Sequence, residues 1–215
     1  MATRVCGLDE ITAVLGRLDL AKHIEEGFIA YSEGRVVVPP VGELIFDAPP
    51  GDAHIKYGYI RGDEYFVVKI ASGFYENHRL NLPSGSGLML LFSQRTGHPL
   101  CILLDEGFLT DVRTAVAGQI AAKVLAPSSV SCIGVLGAGV QARMQVEYLA
   151  AVTPCRNLLV WGRETSRDRL RAYAELMQEH GYAVRTTHDT REVGRTCELI
   201  VTATPAKGRL LRAAD

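Results

Sequence analysis

Ser131-Cys-Ile-Gly-Val-Leu-Gly-Ala-Gly-Val-Gln-Ala142 decides the fold. Cys132 to Leu136 is a short, mostly apolar run that predicts a buried strand. It leads directly into Gly137-x-Gly139-x-x-Ala142 and then into a helix-forming run, Arg143 to Ala151. That context gives the glycine spacing its meaning. Gly137 allows the tight turn, Gly139 lets the backbone approach a pyrophosphate, and Ala142 lets the helix pack close to the strand. The start of the helix, with Val140 and Gln141 as its first residues, offers free N–H groups and a partial positive charge to phosphates. A glycine turn in an ordinary α/β unit is the plainer reading. A strand before the turn, a helix after it and a second strand at the right distance favour a dinucleotide site.

The pattern continues downstream. Strands are predicted over 158–161, 183–186 and 198–203, with helices over 140–151 and 167–180. Strands interleaved with helices imply a parallel, doubly wound sheet. A full Rossmann sheet has six strands and only four are read here, so the chain reads as part of a longer protein. A smaller sheet, complete in itself, is the alternative.

The first half has another character. Leu18 to Glu33 approximates a helical stripe, with Gly34 as a C-terminal stop. Val36 to Leu104 reads as strands and turns: Val36 to Val38 ending at Pro39-Pro40, His54 to Ile60, Tyr65 to Ala71, and Leu88 to Phe92 joined to Pro99 to Leu104 by a hairpin loop. Tyr57, Tyr59 and Tyr65 are expected to pack within these strands. Leu109 to Leu125 is a strong helix with Thr110 or Asp111 as its N-cap. Pro127-Ser-Ser marks the joint between the halves.

The chain has 215 residues, 47% of them hydrophobic, and a net charge of −1. Without a basic tail or long like-charge block, nucleic-acid and anionic-membrane partners are not expected. No apolar run approaches the ~20 residues of a membrane helix, and the N-terminus lacks a secretory pattern. The five cysteines include no Cys-x-x-Cys pair. Cys101, Cys132 and Cys197 lie in apolar runs and read as core thiols. A reducing, cytoplasmic setting fits them. No histidine spacing suggests a metal site, and no Gly-x-Ser-x-Gly elbow suggests a serine hydrolase.

Lys69 stands in an apolar strand, Phe66-Val-Val-Lys-Ile-Ala71. A buried ammonium there is costly, holds its proton less firmly, and can donate that proton or hold a carboxylate or carbonyl. A strand-edge lysine pointing at water is the alternative. Arg113 lies on the long helix among small neighbours, Thr114, Ala115 and Ala117, where a guanidinium suits an anion. An ion pair with Asp111 or Glu106 is its plainer role. At the end of the second parallel strand, Gly162 occupies the place where NAD enzymes usually carry an acid, and Arg163 follows. That favours a 2′-phosphate and hence NADP over NAD, unless Arg163 pairs with Glu164 or Asp168.

Together these segments resemble the ornithine cyclodeaminase/mu-crystallin family. The resemblance rests on Val67-Val-Lys69-Ile-Ala-Ser-Gly73, Leu82-Pro-Ser84-Gly-Ser-Gly-Leu88, Leu109-Thr-Asp-Val-Arg113-Thr-Ala115, the Gly137-x-Gly139-x-x-Ala142 turn with Gln141, and Thr202-Ala-Thr204-Pro-Ala-Lys207. It covers nearly the whole chain. It implies an N-terminal α+β domain over 1–126 that carries substrate contacts and forms a homodimer. A Rossmann NAD(P)-binding domain over 127–215, incomplete at its C-terminus, follows. It further implies that Lys69 contacts substrate, that Arg113 meets a cofactor or substrate anion, and that Ser84 touches the nicotinamide end. Thr202 and Thr204 fall to the cofactor and Lys207 to the substrate.

Three departures from the cyclodeaminase pattern stand out. An arginine that many relatives carry after the Pro-Pro pair is replaced by Val41-Gly-Glu43, with Arg35 the nearest substitute. Lys56 falls where true cyclodeaminases have a glutamate for the distal amine of ornithine; it would repel that amine and favour an anionic group, or it pairs with Glu43. Ala206 stands in place of their catalytic aspartate. The expected activity is therefore NAD(P)H-linked reduction of a small α-imino acid, with Lys69 as the catalytic group. An ornithine-to-proline lyase is the alternative, as are dehydration of a hydroxyproline and a non-catalytic or truncated dinucleotide-binding protein.

Overall fold

The computed structural model describes residues 2–204, 206 and 208–212. They divide into two units, 1–113 and 114–215.

The first unit holds β1 (Arg4–Cys6), α1 (Leu8–Leu15), α2 (Leu20–Ser32), β2 (Val36–Val37), β3 (Gly42–Asp47), β4 (Pro50–Ile60), β5 (Tyr65–Phe74), β6 (Gly85–Ser93) and β7 (Pro99–Leu103). The strands form one sheet in the order β1-β7-β6-β5-β4-β2, with β3 also paired to β4. Its centre, β4-β5-β6, is an antiparallel meander. Phe66 and Phe92 are register partners and their rings stack at 4.8 Å. The Asp19 carboxylate caps α2 by accepting from Lys22 N at 3.0 Å. Gly34 ends it in the left-handed region, φ 70°, as its sequence position predicts.

Several elements here were not legible in the sequence. β1 has three residues and α1 eight, both short of a readable period. All six residues of β3 are exposed, so no inside–outside alternation marks it. Tyr57, Tyr59 and Tyr65 are 45%, 37% and 46% exposed, not packed as expected. They belong with Leu44, Ile45 and Phe46 of β3 to the exposed apolar side chains of this sheet.

Helix α3 (Phe108–Leu125) begins earlier than its sequence suggests. Neither Thr110 nor Asp111 is its cap, because both already lie inside it. The Asp105 carboxylate accepts from Leu109 N at 2.8 Å. The chain reaches the helix through Glu106 and Gly107, both left-handed at φ 53° and 88°.

The second unit holds β8 (Ile133–Leu136), α4 (Val140–Leu149), β9 (Asn157–Trp161), α5 (Arg167–Glu179), β10 (Ala183–Thr187), α6 (Thr190–Thr196) and β11 (Leu199–Thr202). The sheet order is β10-β9-β8-β11 and every pairing is parallel. This reproduces the 3-2-1-4 portion of a Rossmann sheet, with the strand order reversing beside β8. The expected α/β class is what the structure shows. On one face Val135, Val160, Val146, Leu149, Leu170 and Met177 are buried together. Tyr173 belongs to that core, and its hydroxyl donates to Ala142 O at 3.1 Å. The other face buries Leu136, Leu159, Trp161, Val193 and Cys197. Helix α6 escaped the sequence reading because its seven residues bury only Val193. Among the cysteines, Cys197 is buried as expected, while Cys101 and Cys132 are only partly so. All five are free thiols.

Candidate active site

The C-terminal edge of the parallel sheet gathers most of the residues expected to hold a dinucleotide. Gly137 turns the chain out of β8 at φ 123° and donates from N to Trp161 O at 3.0 Å. A Cβ at Gly137 would lie 2.2 Å from Ala203 O, so only glycine fits between β8 and the end of β11. Thr202 is the register partner of Leu136, and Thr204 lies within van der Waals reach of a Cβ built at Gly137. The turn thus brings Gly137, Thr202, Thr204 and Trp161 together.

Gly139 forms the N-cap of α4 without a side-chain hydrogen bond. A Cβ built there meets nothing within 4 Å. Val140 is 54% exposed, Gln141 is half-buried and Ala142 is fully buried against the core. The first N–H groups of α4 therefore face an open approach, and they and the helix dipole suit a pyrophosphate. The residues present fit an NAD(P) group.

Gly162 is buried against Leu170, and its N–H donates to Thr187 O at 3.3 Å. Arg163 is exposed. The pairings that would have occupied it are taken: Glu164 lies 3.7 Å from Arg167, and Asp168 lies 2.9 Å from Arg171. No carboxylate stands at Gly162. Lys207 lies outside the described residues; Ala206 is exposed.

In the first unit the titratable residues gather on one face of the meander. Lys69 on β5 is in direct register with Lys56 on β4 and Met89 on β6. Side chains alternate along strands, so these three share a face with His54 and Asp52. Beyond Lys69 on that face come Ala71 and Gly73, paired with Gly87 and Gly85 of β6. On β5 and β6 this part of the face carries no side chain larger than a methyl group, and His54 and Asp52 of β4 flank it. Lys69 is half-buried, and burial together with the charges of Arg113 and Lys56 lowers its pKa to about 8. Asp105 and Asp111 oppose that shift. Lys69 is not a strand-edge lysine directed at water.

Lys56, Lys69 and Arg113 have no ion pair within 4.0 Å among the described residues. Glu43, expected as a partner for Lys56, instead lies 3.7 Å from His54 Nδ1. Asp52 lies 3.3 Å from His54 Nε2 and also accepts from the Tyr75 hydroxyl. Arg35 is held by Glu33 at 2.7 Å. Ser84 is exposed just before β6, and its carbonyl accepts from Phe74 N at 2.8 Å.

Asp105 is the residue that sequence reasoning missed. It is 1% exposed, with one carboxylate oxygen on Leu109 N and the other without a hydrogen-bond partner. A buried, half-satisfied carboxylate is costly, and the charge of Asp105 is among those that raise the proton affinity of Lys69. The available signal was an acid three residues ahead of a helix, before a glycine.

The sequence profile of the ornithine cyclodeaminase/mu-crystallin family matches residues 3–213. A Sinorhizobium fredii protein named as an uncharacterized cyclodeaminase is 39% identical over 198 residues, 90% of this chain and 59% of its own. A Thermococcus litoralis Δ1-pyrroline-2-carboxylate reductase, solved with NADH and L-proline, superposes with TM-score 0.87 at 26% identity, covering 97% of this chain and 64% of that one. An archaeal alanine dehydrogenase dimer with bound NAD gives TM-score 0.84 at 25% identity, over 100% and 64%. The chain spans 57% and 59% of the lengths of two curated relatives. No helix among the described residues is long and apolar enough to cross a membrane. The chain belongs to the ornithine cyclodeaminase/mu-crystallin family.

Proposed function

We propose that this chain carries the NAD(P)H-linked reduction of a small α-imino acid to an α-amino acid. The observation that carries this reading is Lys69: half-buried, cationic near neutral pH, and beside a Gly- and Ala-lined stretch of β5 and β6. A reductase needs such a group. The imine nitrogen must be protonated or hydrogen-bonded for its carbon to accept a hydride, and an ammonium with a pKa of about 8 gives up a proton readily near neutrality. When bound, NAD(P)H supplies the hydride. Arg113 holds an anionic group of the substrate, and Asp105 keeps Lys69 charged. Gly137, Gly139, Val140, Gln141 and Ala142 seat the pyrophosphate. Ser84, Thr202 and Thr204 are assigned to the cofactor, and Lys207 to the substrate.

The exposed Arg163 and the missing carboxylate at Gly162 support NADP over NAD. The relatives solved with NADH and L-proline, or with NAD, support the reaction class. The archaeal dimer also supports a homodimer. The exposed strand β3 offers Leu44, Ile45 and Phe46 for such an interface. Five free thiols support a reducing, cytoplasmic setting.

The second reading is an ornithine-type lyase, favoured by relatives named as cyclodeaminases. Lys56 and Ala206 argue against it: one repels a distal ammonium, and the other supplies no carboxylate. Net loss of NADPH on incubation with a 2-oxo acid and ammonia tests the reductase reading. Ammonia release from ornithine without that loss would favour the lyase.

A further inference from the structure

We propose that the substrate carries a second carboxylate and that Lys56 binds it, making the substrate class the imines of 2-oxo dicarboxylic acids. This rests on the imino-acid reading of the Lys69 site. Lys56 and Lys69 are direct cross-strand partners, and their Cβ atoms are therefore about 5 Å apart. Like charges placed opposite one another destabilise a sheet. Lys56 is exposed, and no carboxylate among the described residues lies within 4.0 Å of either ammonium. The two acids nearest Lys56 on its face, Glu43 and Asp52, are both engaged by His54, and Asp52 also by Tyr75.

Arg113 adds a third cation near Lys69. Asp105 and Asp111 both act on Lys69 from beyond ion-pair distance. Three cations, none with a carboxylate within 4.0 Å among the described residues, suit a ligand with two negative charges. Space exists beside Lys69 on β5 and β6, where Ala71, Gly73, Gly85 and Gly87 carry no side chain beyond a methyl group, flanked by His54 and Asp52 of β4. A monocarboxylate would occupy Arg113 and leave Lys56 and Lys69 repelling each other. A dicarboxylate bridges the set: the α-carboxylate goes to Arg113, the imine nitrogen to Lys69 and the distal carboxylate to Lys56.

The test is calorimetric titration of the 215-residue chain with succinate and with butyrate, of equal carbon count and unequal charge. NADPH affinity is measured separately. One charge-assisted contact predicts succinate binding on the order of 10- to 100-fold tighter than butyrate. Lys56→Gln should cut that preference to a few-fold, and Lys56→Arg should restore most of it. Equal binding of the two acids, binding of neither, or a preference that survives Lys56→Gln would overturn the proposal. NADPH binding without a dicarboxylate preference sinks this proposal alone. A Lys56-dependent preference without NADPH binding sinks the redox reading and leaves the anion site.

Discussion

Lys56 and Lys69 face each other in register across β4 and β5, with no ion pair for either among the described residues. Protein sheets normally avoid such a pair. Here it coincides with a lysine of lowered pKa and, on β5 and β6, a run of Gly and Ala on the same face.

Lys69 should control the alkaline limb of the reaction. Its charged form is the proton donor, so kcat/KM for imine reduction should fall as pH rises through about 8. Lys69→Met should lower kcat by roughly 10²- to 10⁴-fold, with NADPH affinity little changed. A flat profile to pH well above that limb would contradict the role.

Asp105 should act through Lys69. Asn at this position can still accept from Leu109 N, so Asp105→Asn keeps the start of α3. It removes the negative charge that raises the proton affinity of Lys69, so the alkaline limb should move to lower pH. Asp105→Ala loses the cap as well and should cost about 1–2 kcal/mol in denaturant unfolding. An unmoved limb in Asp105→Asn would make Asp105 structural only.

Gly137 should tolerate no side chain. A Cβ 2.2 Å from Ala203 O forces the end of β11 away from β8, and the residue's φ of 123° is itself costly for alanine. Gly137→Ala should weaken NADPH binding at least tenfold and destabilise the chain by roughly 1–3 kcal/mol. Wild-type affinity in this variant would refute the turn as the pyrophosphate seat.

Arg163 should set cofactor choice. Arg163→Ala should weaken NADPH by about 10- to 100-fold, the worth of a charge-assisted contact, and leave NADH unchanged. Trp161 reports on both, since it ends β9 one residue before Gly162 and is 8% exposed. Equal losses for the two dinucleotides would remove the 2′-phosphate argument.

The second unit was legible because its signals are local. Strands β8, β9 and β11 are mostly apolar runs, and the Gly137 turn has one stereochemical reason for its spacing. The first unit was less so. β3 has no buried face to impose alternation, and β1 has too few residues to show a period. Lys69 was visible as a charge in an apolar strand. Its pairing with Lys56 was not, because register across β4 and β5 is a property of the folded sheet. Asp105 was hidden for a related reason: an acid ahead of a helix and a glycine signals a turn, and its burial is a property of the folded chain.

The most direct test counts NADPH against product. The chain is incubated with NADPH, oxaloacetate and ammonia, and nicotinamide absorbance and amino acid are followed together. A parallel reaction replaces the oxo acid with ornithine. The account predicts one NADPH oxidised for each amino acid formed, and no ammonia from ornithine. Ammonia and proline from ornithine with no net change in NADPH would contradict it.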